Sequence, residues 1–283
     1  MEICAGIVLY NPDLDKLDKN INAVINQVSK LIIVDNNSDN INQIKEKYNN
    51  AKIIWLINDE NKGMSVALNQ MIEYANENNF EWLLTLDDDS VCGDNMVVLL
   101  LTALTQYDNI AVMSPRILDA CGNSEAIQSD KKLEDFIEIN MCITAGSLIN
   151  VKAVIETGGF DERLFIDHVD HDMCLRLRRN GYKIIKVNKA VIYQTFGNEY
   201  VSRRFLWKTY TQRGYSPKRV YYQTRNSLYM IRKYGKEFDS RPIYFYFYLI
   251  FAFIARFIYE PNRIKRFVAF VKGYFSGLFM KIN

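Results

Sequence analysis

The amino-acid sequence predicts an α/β fold, a single mainly parallel sheet flanked by helices, with a helical appendage at the C-terminal end. Three observations carry this. Apolar runs of strand length at residues 3–10, 31–34, 52–57 and 82–86 alternate with stretches whose apolar residues recur at helical spacing, the pattern of parallel strands joined by right-handed crossovers. The runs are continuously apolar, as in strands buried on both faces. Composition changes near residue 200: from Ser202 onward there are 17 Lys/Arg against 3 Asp/Glu and 23 of the 37 aromatic residues, whereas the preceding part carries 18 Lys/Arg against 30 Asp/Glu. A domain boundary belongs there, with an α/β domain at residues 1–200 and a basic, aromatic-rich helical region at 201–283. A chain of 283 residues can bury a full core.

In order, the first strand closes on Asn11-Pro12, and Asp13 is placed to cap a helix whose stripe includes Leu17, Ile21, Val24 and Val28. The strand at 31–34 ends in Asp35-Asn36-Asn37-Ser38, so a carboxylate appears at a strand's C-terminal edge. Residues 52–57 read as strand, 58–63 as loop and 64–78 as helix. The run at 82–86 then delivers Asp87, Asp88 and Asp89 to its C-terminal end, where an open α/β sheet keeps its ligands. Three adjacent carboxylates repel one another unless solvent or a cation neutralises them, and a hard divalent ion is the natural partner. The alternative is an N-cap cluster ahead of the helical pattern at 95–104. Residues 110–113 read as a short strand stopped by Ser114-Pro115, and 119–132 as a polar surface loop. Residues 142–149 read as a strand interrupted by Ala145, Gly146 and Ser147, where a bulge or the close approach of a backbone or ligand is expected. Both histidines, His168 and His171, are interleaved with Asp167, Asp170 and Asp172 ahead of a helical stretch. Helix capping needs one carboxylate, and the surplus suggests a base held in a defined geometry.

Several classes are disfavoured. There is no GxGxxG and no GxxxxGK[ST], which argues against a dinucleotide dehydrogenase and a P-loop NTPase. The Gly-rich, Arg-bearing N-terminal loop of sugar-phosphate nucleotidyltransferases is replaced by Leu9-Tyr10-Asn11-Pro12, so nucleotide binding would rest on side chains. Five cysteines without a CxxC pair fit reduced thiols in a cytosolic chain rather than a metal-thiolate site. No basic segment with an apolar core opens the chain, so secretion is not expected. Basic residues with aromatics can stack on bases, but no RRM or KH signature appears and no nucleic-acid partner is expected. Residues 243–255 carry no charge for 13 positions, short of the roughly 20 that span a bilayer. From residue 262 a helical stripe of Phe267, Val271, Tyr274 and Leu278 runs beside Arg263, Lys265, Arg266 and Lys272. That composition suits helices lying on an anionic leaflet, and the alternative is a helix pair packed on the α/β domain.

Five ordered motifs together resemble the inverting family 2 glycosyltransferases, and within them the rhamnosyltransferase branch. They are Asp35-Asn36-Asn37-Ser38; Asn61-Lys62-Gly63 with Asn69; Leu86-Asp87-Asp88-Asp89-Ser90; Thr144-Ala145-Gly146-Ser147; and Phe165-Ile166-Asp167-His168-Val169-Asp170 with Cys174-Leu175-Arg176. The similarity extends through Arg219-Val220-Tyr221-Tyr222-Gln223-Thr224-Arg225-Asn226 to about residue 235. The resemblance implies a GT-A fold with a Rossmann-like sheet, a nucleotide-sugar donor and Mg2+ or Mn2+. It would assign Asp35 to the base, Asp87 and Asp88 to the ribose and diphosphate, and Asp89 to the metal. Tyr10, Asn61 and Gly63 would line the nucleotide pocket, Gly146 and Ser147 would border sugar and acceptor, and Asp170 would be the catalytic base, ahead of Asp172. Relatives often carry a His after the last core strand; here Gln194 stands in its place, a poorer ligand for a transition metal, although its amide oxygen suits Mg2+. The implied reaction is transfer of L-rhamnose from dTDP-rhamnose onto a lipid-linked glycan in bacterial surface polysaccharide synthesis. The protein would work at the cytoplasmic face of the membrane, in peripheral contact through residues 241–283. Alternatives are a UDP-sugar transferase (galactofuranose or glucose) and a non-catalytic sugar-nucleotide-binding or membrane scaffold protein.

Overall fold

The computed structural model describes residues 2–119, 134–194, 201–205, 208–212, 215–239, 242–259 and 262–282. The chain divides into two units, Met1–Phe165 with Val169–Phe196 and Ile166–His168 with Gly197–Asn283.

The first unit is built on a sheet of nine strands. Strand β1 (Ile3–Leu9), buried throughout, lies between β2 (Lys30–Asp35) and β4 (Trp82–Asp87), with β3 (Ile53–Ile57) outside β2. All three ladders are parallel. The crossovers run through α1 (Leu14–Val24), α2 (Ile41–Lys47) and α3 (Met64–Glu77). Asp13 caps α1 as expected, accepting from the backbone N–H groups of Asp15 and Lys16 at 3.0 and 3.3 Å. The core gathers Leu17, Ile21 and Val24 of α1 against Ile7, Leu9, Leu31, Ile33 and Leu84 of the strands.

Beyond β4 the sheet becomes mixed, in the order β3-β2-β1-β4-β8-β6-β9-β5 with β7 beside β9. The remaining elements are β5 (Ser90–Cys92), α4 (Met96–Leu101), β6 (Ile110–Asp119), β7 (Phe136–Glu138), β8 (Ser147–Asn150), α5 (Val151–Glu156), α6 (Val169–Arg179) and β9 (Lys183–Gln194). The long β6–β9 ladder is parallel, and β8, β7 and β5 run antiparallel to their neighbours. Two expectations need correction. Strand β6 does not stop at Ser114-Pro115; it continues to Asp119, and a register shift between Pro115 and Arg116 accommodates the missing proline N–H. Residues 142–146 are not strand, and β8 begins at Ser147. The polar segment 120–132 and Cys121 lie outside the described residues. The other four cysteines are free thiols.

The second unit opens with a two-stranded antiparallel hairpin, β10 (Val201–Phe205) and β11 (Lys208–Gln212), ahead of the helices expected there. Helices α7 (Pro217–Tyr234), α8 (Pro242–Tyr259) and α9 (Arg263–Phe279) follow. Ser216 caps α7, with Pro217 in the first turn. Helix α9 packs along α7, where Arg232 Nη1 donates to the carbonyls of Gly277 and Met280, each at 2.8 Å, satisfying the last turn of α9. The outward apolar face differs from the stripe expected. On α9 it comprises Ile264, Phe267, Val268, Phe275 and Phe279, while Val271, Tyr274 and Leu278 are half-buried. On α8 the exposed positions Ile243, Phe247, Ile250, Ile254 and Phe257 follow one helical face. No helix among the described residues is long and apolar enough to cross a membrane.

Candidate active site

In the sheet register Leu9 lies opposite Asp35 and Val8 opposite Asp87, so Tyr10, Asp35 and Asp87 emerge side by side at the C-terminal edge of adjacent parallel strands. Asp35 is wholly buried. Its Oδ2 accepts from the Ser38 N–H at 2.9 Å, whereas Oδ1 is buried with no hydrogen-bond partner among the described residues. Asn36 ties this loop to the next one: its Oδ1 accepts from Asn58 Nδ2 at 3.0 Å and its Nδ2 donates to the Gly63 carbonyl at 3.2 Å. Asn61 Oδ1 accepts from the Gly63 N–H at 3.0 Å. Gly63 has φ +89°, and a Cβ there would sit 2.7 Å from the Phe165 carbonyl oxygen, so only glycine fits. The same carbonyl accepts from the Met64 N–H at 2.7 Å, joining the start of α3 to the segment that leads to α6. Tyr10 is half exposed above this edge.

The three adjacent carboxylates form the turn between β4 and β5. The capping alternative fails: α4 begins at Met96, behind Asn95 and a whole intervening strand. Asn20, fully buried on α1, donates to the Asp87 carbonyl at 2.6 Å, and Gln194 Nε2 donates to Asp87 Oδ2 at 3.1 Å. Gln194 arrives through the antiparallel pairing of β5 with β9, which sets it opposite Ser90. Burial pushes the Asp88 carboxyl up to about 6, with the charge of Asp89 adding to the effect. Burial raises Asp89 too, against the opposing charge of Lys16, whose Nζ lies 3.9 Å from its Oδ2. A site that resists holding its own charges is one that a cation relieves.

The donors here are oxygens: the carboxylates of the turn and Gln194 Oε1, which is buried without a hydrogen-bond partner among the described residues. Hard donors of this kind fit Mg2+ or Mn2+. No three His, Cys, Asp or Glu side chains among the described residues converge as a metal cage, so such an ion would complete its shell with water and phosphate oxygens.

Asp170 and Asp172 stand in the first turn of α6 and differ sharply. Asp172 is wholly buried and engaged by Arg176 Nε at 2.8 Å, while Arg176 Nη1 donates to the Thr157 carbonyl at 2.5 Å. It is a strut between α6 and the end of α5. Asp170 retains some exposure, and its Oδ1 accepts from the His171 N–H at 2.8 Å with His171 Nδ1 at 3.0 Å. Gly146 and Ser147 sit in packed surroundings. A Cβ on Gly146 would meet Ile192 at 2.6 Å and Pro115 at 3.0 Å, and the buried Ser147 hydroxyl donates to the Ile143 carbonyl at 2.6 Å. Close side-chain packing accounts for the glycine, and the serine hydroxyl is engaged by a backbone carbonyl. Sequence reading missed Asn20 and the Gln194–Asp87 contact. The first had a signal, an asparagine within the apolar stripe of α1; the second depends on a pairing between distant strands.

Residues 4–158 match the family model for glycosyl transferase family 2. The chain belongs to that family. It is 27% identical over 249 residues to the dTDP-rhamnosyl transferase RfbF of Shigella flexneri, covering 82% of this chain and 80% of that protein. Among solved structures, the mannosyltransferase PcManGT from Pyrobaculum calidifontis, in complex with GDP-Man and Mn2+, is similar with a TM-score of 0.60 at 13% identity, over 99% of this chain and 88% of that one. GalNAc-T7 with UDP, GalNAc and Mn2+ gives a TM-score of 0.62 at 14% identity over 84% of this chain, which spans 49% of that structure's length. These likenesses establish the GT-A architecture of a glycosyltransferase.

Proposed function

We propose that this family 2 glycosyltransferase moves L-rhamnose from dTDP-rhamnose, with inversion, onto a lipid-linked glycan at the cytoplasmic membrane face. The observation that supports it best is the shared sheet edge: a buried carboxylate oxygen on Asp35 with no hydrogen-bond partner among the described residues, one strand away from an acidic turn poised for a cation. The imide N–H of thymine or uracil supplies the hydrogen bond that Asp35 Oδ1 lacks. The rhamnosyl donor is favoured by the likeness to RfbF.

Tyr10, Asn61 and Gly63 border the nucleotide in this reading, Asp87 and Asp88 the ribose and diphosphate, and Asp89 holds the ion. When bound, Mg2+ or Mn2+ neutralises charge that grows on the departing diphosphate. Asn20 and Gln194 hold Asp87 from two sides, fixing the turn before the donor arrives. Asp170 takes the proton of the acceptor hydroxyl as the hydroxyl oxygen attacks the anomeric carbon on the face opposite the diphosphate. One base and no covalent nucleophile give a single displacement and inversion. General-base help of this kind is worth roughly 10²- to 10⁴-fold. Residues 1–200 are the catalytic domain, and residues 241–283 contact the membrane through the outward apolar faces of α8 and α9, flanked by Arg263, Lys265 and Lys272.

Thermal denaturation with Mn2+ or Mg2+ and each of dTDP, UDP and GDP tests the donor site. A ligand at about 100 times its dissociation constant adds roughly 2.7 kcal/mol. Cation-dependent stabilisation by dTDP, lost in Asp89→Ala, is the expected result. A preference for UDP moves the donor to a UDP-sugar, and no shift with any nucleotide leaves a non-catalytic scaffold.

A further inference from the structure

Residues Ile166–His168 belong to the second unit although the chain on both sides of them belongs to the first. Within this staple Asp167 and His168 take consecutive left-handed conformations, φ +64° and +65°. The other non-glycine residues with positive φ among the described ones are all asparagines, each isolated. Asparagine, aspartate and histidine visit this region more readily than other side chains, but as single residues, and a successive pair persists where its surroundings hold it. Helix α7 holds it. Asn226, wholly buried, donates through Nδ2 to the carbonyls of Ile166 at 2.7 Å and Asp167 at 3.1 Å. Arg219 Nη2 donates to Asp167 Oδ1 at 3.1 Å, and His168 Nε2 lies 2.9 Å from Ser227 Oγ. The His168 ring meets Phe238 edge to face, centroids 5.3 Å apart.

Immediately after the staple comes Val169, where α6 starts, and Asp170 is its second residue. Before the staple, Phe165 is fastened to Met64 and packed against Gly63. Farther along α6, Arg176 fastens the helix to the Thr157 carbonyl. A relaxed staple therefore displaces the first turn of α6 and leaves the nucleotide loops in place. We propose that Asn226 is a positioning residue for Asp170: its carboxamide holds the two peptide carbonyls that flank Asp167, the first of the left-handed pair, and so sets the direction in which the base leaves the chain. This rests on the reading of Asp170 as the base.

The test is a kinetic cycle of Asn226→Ala, Asp170→Asn and the double variant, with nucleotide affinity measured separately by calorimetry on dTDP and Mn2+. Misplacing a reacting group by about 1 Å costs roughly 10²-fold, so Asn226→Ala is expected to lower kcat by about 10- to 100-fold with the dTDP Kd within about twofold of wild type. The double variant is expected to be no slower than Asp170→Asn, because residues that act as a unit are not additive. An unchanged kcat in Asn226→Ala, or a double variant slowed by the product of the two single effects, overturns the positioning role. Wild-type turnover in Asp170→Asn overturns the base assignment itself, a separate result. If Asn226→Ala fails to fold, Ser227→Ala, which removes the hydroxyl that meets His168 Nε2, takes its place. A kcat loss of about 3-fold or more that vanishes in the Asp170→Asn background then supports the role, and no loss refutes it.

Discussion

Asp88 offers a quantitative check on the acidic turn. Its carboxyl, pushed up to about 6 from 3.8 by burial and by Asp89, holds a proton more tightly in the fold than in the unfolded chain. Between those two values the native state binds more protons, so stability falls as pH rises through about 4 to 6 and the full cost stands above pH 6. At 1.36 kcal/mol per unit the two-unit shift corresponds to about 3 kcal/mol. Asp88→Asn removes the charge while keeping the shape, and should stabilise the metal-free protein at pH 7.5 by up to about 3 kcal/mol, several degrees in Tm for a chain of this size. Its advantage over wild type should shrink to about a third of that near pH 4.5. The assay is thermal denaturation of both proteins in EDTA at fixed ionic strength from pH 4.5 to 8. A variant less stable than wild type at pH 7.5, or a difference that does not change with pH, would refute the picture of a buried carboxylate ionised against its surroundings.

Two further outcomes follow from side chains outside the donor site. Arg176→Ala removes the guanidinium that the wholly buried Asp172 accepts from and that fastens the Thr157 carbonyl, and should destabilise the protein by about 3 kcal/mol, read by urea denaturation, while Arg176→Lys recovers only part of that because one ammonium cannot reach both Asp172 and the Thr157 carbonyl. The protein should co-sediment with vesicles containing anionic phosphatidylglycerol and not with neutral phosphatidylcholine vesicles, and Phe267→Ser with Phe279→Ser should weaken that binding at least tenfold; equal binding to both vesicle types would contradict the role given to the basic residues of α9.

Much of the first unit was legible because its signals are local. The buried runs that became β1 and β4, the cap at Asp13 and the polar residues closing β2 each act within a few positions, so the parallel half of the sheet and its polar edge followed from spacing alone. The mixed half did not, because its order depends on pairings between segments distant in sequence, Ser90 with Gln194 among them. Pro115 read as a stop, since proline lacks a ladder donor, and the register shift that tolerates it is a property of β9 as much as of β6. Gly146 read as a place for a ligand or bulge and turned out to admit Ile192 and Pro115. The difference between Asp170 and Asp172, two residues apart on one helix, lies in Arg176 and in burial that the sequence does not display.

The decisive measurement is release of nucleoside diphosphate from dTDP-rhamnose, with UDP-glucose alongside, in the presence and absence of a lipid-linked saccharide acceptor, for wild type and Asp170→Asn. Acceptor-stimulated dTDP release that falls by roughly 10²-fold or more in Asp170→Asn, with dTDP binding retained, is the predicted result. Release of UDP in preference to dTDP, or undiminished turnover in Asp170→Asn, would contradict it.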